Sequence, residues 1–395
     1  MSIRVVEISG RKALRRFVQF QLDLYRGVEG FVPPMFDSQL DGLDPEKNPA
    51  FEFCEVRLFM AYDGERPLGR IAGIINHHFN QKAGRPECRF SYCDFVDDPQ
   101  VSQALLQAVE SWGRSQGMVS MVGPLGMTDM DTEGCLVEGF EHLATFISGY
   151  NFDYYQRHFE AYGLQKDATW NEYRMPVPEA VPAKHQRVAE VVRQRYGLRA
   201  LKFTDAKVLV ARYGHRLFDL LNQAYAPLYG VSELTEKQID YYIDLYLPQL
   251  RLDLIRLIVD QDDNLLAFGI ACPSLSRAQQ KAQGRMLPFG WWHLARTMYL
   301  TRTSLLGRLL RGGTDTVDLM LIAVRPDLQG KGINSLLFTE LIPQFIANGY
   351  KYVESTHELE TNVKVQNLWG EFHPVRHKRF HTFRKEINIR DIKGW

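Results

Sequence analysis

The chain has 395 residues, average apolar content and balanced charge, with 47 Lys and Arg against 47 Asp and Glu. That length exceeds one ordinary domain and suggests two, and the balance gives no global field that would draw nucleic acid. No window approaches about 18 uninterrupted apolar residues, so no transmembrane segment is expected.

The opening "MSIRVVEISGRKALRRF" scatters charges where a secretory signal would carry an apolar core, so no signal is expected. The five cysteines are Cys54, Cys88, Cys93, Cys135 and Cys272. An odd set without a second Cys/His pair at ligand spacing predicts reduced thiols, a cytoplasmic location and no metal.

In chain order, "EVRLFMAYDGERPLGRIAGII" reads as two strands around Asp63-Gly64, a hairpin signal. "CRFSYCDFVDDPQVSQALLQAVESWGRSQGMVSMVG" then reads as strand, loop, amphipathic helix and strand. A proline-rich linker, "RMPVPEAVPAKHQ", follows with Pro176, Pro178 and Pro182. Beyond it the pattern returns. "LDLIRLIVDQDDNLLAFGIAC" is a second hairpin around Asp262-Asp263-Asn264, and "TVDLMLIAVRPDLQGKGINSLLFTELIPQFIANGYKYVE" a second strand–helix–strand unit. Aligning Leu106 with Leu337 places Gly117 on Asn348 and Val122 on Val353. The expectation is a duplicated α/β (α+β) fold, with domains over residues 1–178 and 186–395. Each would hold a mixed, mostly antiparallel central sheet flanked by helices.

The copies differ in the loop before the helix. Only the second carries glycines, in "QGKGIN". At a helix N-terminus the first backbone amides lack partners and the dipole favours anions. Glycine also lets the main chain approach a pyrophosphate. The Walker pattern fails for want of Gly-Lys-Ser/Thr at its spacing. A dinucleotide fingerprint would find Ser335 at its third glycine, with too little chain after "KYVES" for the rest of that fold.

"VRPDLQGKGINSLLF" resembles the acyl-CoA motif of the GNAT superfamily of N-acetyltransferases, Gln/Arg-x-x-Gly-x-Gly/Ala after a strand. Gln329 and Gly332 fit, and Asn334 replaces the final small residue. "NVKVQNLW", with Asn362, Val365, Leu368 and Trp369, is similar to the superfamily's later Asn-x-x-Ala-x-x-Leu-Tyr. Trp369 cannot serve as the acid that the Tyr supplies, because indole only donates. "FVPPM", "GPLGMTDMDTEGCLVEGF" and "YYQRHFEAYGL" extend the likeness to nearly the whole chain, which resembles an uncharacterised bacterial two-domain group.

The resemblance implies an acyl-CoA-dependent N-acyltransferase, with acetyl-CoA as co-substrate and direct transfer to a small-molecule or peptide amine. It assigns cofactor binding to Val324, Gln329, Gly330, Lys331, Gly332, Ile333, Asn334 and Asn362, and the oxyanion donor to a backbone amide near Val324. The base is sought in "ESTHELETN": Glu354 first, at the strand's end, then His357, whose ordinary pKa suits the task, with Glu358 and Glu360 beside them. A homodimer is compatible with this reading.

Two alternatives stand beside it. One is a non-catalytic acyl-CoA-binding or regulatory protein, favoured by Asn334 and Trp369. The other is an acyltransferase working at a lipid surface. Residues 284–313 carry Arg285, Arg296, Arg302, Arg308 and Arg311, Trp291-Trp292 and no acidic residue. That segment reads either as helices packed on the core with solvated arginines, or as a lid or lipid-facing surface. His373, His377 and His381 are four apart, but Pro374 and the alternation of "KRFHTFRKEI" predict a final strand rather than a metal-binding helix.

Overall fold

The computed structural model describes residues 3–247, 250–310 and 312–388. Arg311 lies outside the described residues. The strands are β1 (Ile3–Glu7), β2 (Cys54–Asp63), β3 (Arg66–Asn76), β4 (Glu87–Phe95), β5 (Ser120–Gly123), β6 (Cys135–Glu138) and β7 (Gln165–Pro176). In the second half they are β8 (Arg199–Leu201), β9 (Ile255–Val259), β10 (Leu265–Pro273), β11 (Thr316–Val324), β12 (Tyr352–Ser355), β13 (Glu358–Leu359) and β14 (Val375–Glu386).

Both hairpins form where the sequence places them: β2 turns into β3 at Gly64 (φ 58°), and β9 into β10 at Asp263 (φ 66°). Each half then makes a parallel crossover, β4 to β5 through helix Pro99–Ser115 and β11 to β12 through helix Ile333–Asn348. The helices end on left-handed glycines, Gly117 and Gly349 (φ 77° and 78°), which release the chain without a Cβ clash. These two glycines are therefore the equivalent pair. The sequence alignment that set Gly117 on Asn348 is one residue short, because the stretch from the aligned leucines to the next strand holds one residue more in the second half.

The two sheets are joined into one, in the order β1-β2-β3-β4-β5-β14-β7-β12-β11-β10-β9-β8. The final strand predicted from "KRFHTFRKEI" forms as β14. It lies in the first half, between β5 and β7. β7 in turn pairs with β12 of the second half. The last strand of each block thus crosses to complete the other, with β7 and β14 antiparallel at the seam. Residues 375–386 follow the second block in sequence but sit in the first block's sheet.

The core is layered on this sheet. Helix Pro99–Ser115 buries Leu105, Leu106 and Val109 against β3 and β4. Helix Ile333–Asn348 buries Leu336, Leu337 and Leu341 against β9 and β10. Cys54, Cys88, Cys135 and Cys272 are buried, Cys93 is half-buried, and all five are free thiols.

Candidate active site

β11 and β12 pair only from Thr316↔Tyr352 to Leu319↔Ser355 and then diverge. β10 carries a register shift opposite Met320, so β11 bends away at the point of divergence. The gap leaves backbone groups of β11 without a strand partner. Tyr225 donates its hydroxyl to the Ile322 carbonyl (3.3 Å), and Gln329 donates Nε2 to the Val324 carbonyl (3.3 Å). Ile322 and Val324, two apart on β11, turn their backbone polar groups to the same edge of the strand, the one at the gap.

The glycine loop closes one end of this gap. Gly330 and Gly332 have φ of 74° and 85°, and Gly332 is the N-cap of helix Ile333–Asn348 without a side-chain cap. Among the described residues, the amides of Gly330, Gly332, Ile333 and Asn334 meet no acceptor of the chain. A Cβ on Gly332 would stand 2.6 Å from Val188 Cγ1. A bare helix N-terminus with unengaged amides and no room for a side chain suits a pyrophosphate.

The gap widens into a cavity of about 2160 Å³ between the halves, well above the roughly 300–1000 Å³ of an ordinary small-molecule site. Val324, Gln329, Gly330, Gly332, Asn334 and Asn362 line it, whereas Lys331 and Ile333 do not. Lys331 points to solvent and Ile333 into the core.

The base candidates separate. Glu354 on β12 is buried outside the cavity and faces Arg174 of β7 at 3.1 Å. Glu360 is paired with Arg379 at the surface. His357 and Glu358, just past the end of β12, line the cavity. Burial holds the His357 imidazole below its ordinary value and so neutral; Glu172 counters this, with Oε1 3.5 Å from His357 Nε2. Glu172 is itself fully buried. Burial would raise its carboxyl, but Lys378 (Nζ at 2.7 Å), His357 and Ser148 outweigh that and keep it ionised. Glu358 accepts 2.7 Å from Trp369 Nε1, while its second oxygen has no partner. Burial pushes this carboxyl up to about 7 against the hydrogen bonds of Trp369 and Ser355, so a substantial share of it carries a proton near neutrality. Trp369, at the position of the expected Tyr, therefore holds a carboxyl that can carry a proton.

The first half contributes residues that the motif reading passed over. Between β5 and β6, "TDMDTEG" sets Asp129, Asp131 and Glu133 on the cavity wall. Asp131 folds the loop by accepting the Thr128 amide at 2.9 Å. Glu133 is only 6% exposed, yet has no hydrogen-bond or ion-pair partner among the described residues. Burial pushes Asp129 up to about 6; Arg89 opposes this and Asp131 adds to it. Burial, then the neighbouring Asp129, pushes Glu133 well above the ordinary carboxyl value. Arg89 is spent elsewhere, donating to the carbonyls of Gly126 (3.1 Å) and Gly230 (2.8 Å). The charges of Asp129 and Glu358 both bear on Tyr225, the residue bonded to Ile322. The acidic wall thus faces the gap in the second half. Acids at alternate positions in a glycine-bounded loop were the available signal.

No known family profile matches the sequence. The chain is 26% identical over 381 residues to protein YghO of Escherichia coli, covering 95% of this chain and 93% of that one. It is 25% identical over 404 residues to the bacterial ceramide synthase of Caulobacter vibrioides, with 98% of each covered. A tandem GNAT protein from the clavulanic acid biosynthesis pathway superposes with a TM-score of 0.55 at 11% identity, over 98% of this chain and 99% of that one. A GCN5-related N-acetyltransferase from Sphaerobacter thermophilus gives 0.51 at 12% identity, over 97% and 96%. With its paired crossovers, diverging central strands and single glycine loop, the chain has the tandem GNAT fold.

Proposed function

We propose that the chain is an acyl-CoA-dependent N-acyltransferase whose acceptor is a long-chain amine. One observation carries this reading: one cavity joins the open glycine loop, the neutral His357, the proton-carrying Glu358 and the acidic wall of Asp129, Asp131 and Glu133. Bound acyl-CoA supplies the thioester. The amine nitrogen joins the acyl carbon, the carbon–sulfur bond breaks, and the amine loses a proton while the thiolate gains one.

The residues fit these needs. Asp129 and Glu133, whose carboxyls burial favours in the protonated form, ionise against the acceptor's ammonium and hold it in the cavity. His357 takes the proton, kept in a basic, neutral form by burial and oriented beside Glu172. Glu358 gives its proton to the leaving thiolate, the task for which Trp369 is chemically unfit. The backbone amide at Val324 serves the oxyanion.

Two considerations support a long chain over the acetyl group and small acceptor that the motif suggests. The cavity wall includes the apolar side chains of Met286, Trp291, Leu294 and Met298, which suit an alkyl chain better than a small polar amine. The Caulobacter relative is named a ceramide synthase, and ceramide is a long-chain amine bearing an N-acyl chain. The test is thiol release and amide detection by mass spectrometry, with acetyl-CoA and palmitoyl-CoA each offered to sphinganine and to short amines. Amide formation with sphinganine is expected. No thiol release with any pair, despite acyl-CoA binding, would favour the non-catalytic reading instead.

A further inference from the structure

We infer that the helical insertion over residues 284–313 is a docking surface for an anionic lipid bilayer, placed at the mouth of the acceptor cavity. It rests on the proposed lipid acceptor only for its purpose, and its geometry stands alone. Sixteen large apolar side chains of the described residues are exposed, and nine lie between Met286 and Leu309. Leu287, Phe289, Tyr299, Leu305 and Leu309 are 71–85% exposed. Scattered exposed apolar residues need no explanation, but this concentration does.

The charge around them has one sign. From Asn264 to Thr314 the sequence holds no Asp or Glu, although the whole chain is neutral. Arg277, Lys281, Arg285, Arg302 and Arg308 are exposed there. Arg302 is tied to Asp315 and Arg285 stacks on Phe36, whereas Arg277, Lys281 and Arg308 have no acidic partner among the described residues. Exposed apolar side chains set among unpaired cations are what an interfacial helix needs to enter an anionic headgroup region. Helices Gly290–Tyr299 and Leu305–Leu309 are too short to cross the bilayer, and no described helix is long and apolar enough to do so.

A second copy of the chain is a poorer occupant. A two-fold interface would set this basic patch against itself. A bilayer also explains the insertion's position. Met286, Trp291, Leu294, Met298 and Tyr299 line the cavity that holds the glycine loop, while Trp291 and Tyr299 also stand in solvent. A long-chain amine resident in the bilayer would pass between these side chains with its chain never fully exposed to water.

The test is co-sedimentation of the full chain with vesicles of phosphatidylcholine alone and of phosphatidylcholine mixed with phosphatidylglycerol. Binding is expected to be about tenfold or more stronger to the anionic vesicles and to weaken at high salt. Two variants follow: Phe289→Ser/Leu305→Ser/Leu309→Ser and Arg277→Glu/Lys281→Glu/Arg308→Glu. Each should lose about tenfold in vesicle binding. None of the six residues lines the cavity, so folding by circular dichroism and turnover of a detergent-dispersed amine should be unchanged. Wild-type binding that ignores lipid charge, or variants that bind as well as wild type, would overturn the docking surface. So would a wild-type dimer that the apolar variant dissolves. Docking without turnover of any amine would sink the acyltransferase reading and leave this one standing.

Discussion

The two crossovers of this chain share a plan and differ at one point. In the first half, helix Pro99–Ser115 starts at Asp98, whose carboxylate accepts the Gln100 amide at 2.8 Å, with Pro99 at the first helical position. In the second, helix Ile333–Asn348 starts at Gly332, whose amides are left free. The first helix carries its own anion; the second leaves the place open for one from outside. The same strand–helix–strand unit is thus structural in one copy and receptive in the other. The difference lies in the cap rather than in the sheet.

The strongest test of that contrast closes the open end. Gly332→Glu puts a Cβ at a left-handed position 2.6 Å from Val188 and a carboxylate at the helix N-terminus. Acyl-CoA binding by calorimetry is expected to vanish while circular dichroism is retained. Detectable binding would show that the pyrophosphate lies elsewhere.

His357→Ala comes next. Removal of a general base commonly lowers kcat by about 10²–10⁴-fold. Here that loss should come with unchanged acyl-CoA affinity, because His357 is remote from the loop in sequence and donates nothing to it. An equal loss from Glu354→Gln would return the base to the strand end.

Glu358→Gln should lower kcat by about tenfold or more. Its carboxyl acts protonated, so wild-type kcat should fall as pH rises through about 7, and the variant should lack that limb. Stability carries the same signature. The folded value of about 7 stands above the ordinary carboxyl value of about 4.3. The stabilisation from binding this proton is therefore complete below the unfolded value and is lost as pH rises through 7. Tm should fall from about pH 4.3 to about pH 7, the window set by these two values, more for wild type than for Glu358→Gln. Thermal scans across that window check it.

Glu133→Gln should raise KM for the amine by about tenfold with little change for acyl-CoA, since a carboxyl that can ionise against the ammonium is gone. The smallest effect is expected from Asp98→Ala. Loss of that cap costs about 1 kcal/mol and should lower Tm by roughly 2–4 °C, without altering acyl-CoA binding. A change in binding would mean that the first crossover is not merely structural.

Much of this was legible along the chain. Hairpins announce themselves by alternation broken at Asp63-Gly64 and Asp263, and the crossover helices by their apolar period. The glycine loop is a local signal, because φ above zero and a missing Cβ are properties of single residues. The candidate site was only partly legible. Glu354 ends β12 as expected, but β12 takes β7 as its neighbour, so Glu354 meets Arg174 instead of the cavity. His357 and Glu358 reach the cavity because they lie past the point where β11 and β12 part. Asp129 and Glu133 stand some two hundred residues before the glycine loop whose cavity they share (from about 130 to 330 in sequence), and no spacing rule spans that distance.

The sequence by itself determined the duplicated hairpins and crossovers, the glycine-capped helix N-terminus of the second crossover and the basic, tryptophan-bearing insertion. These depend on periodicity, turn chemistry and charge, which are local. Only the tertiary structure decided that β7 and β14 change sides, that an acidic wall of the first half faces the gap in the second, and that the insertion exposes its apolar side chains at the cavity mouth. Those are outcomes of strand pairing and burial between distant segments. Their free energy belongs to the joined sheet and not to any stretch of the chain read alone.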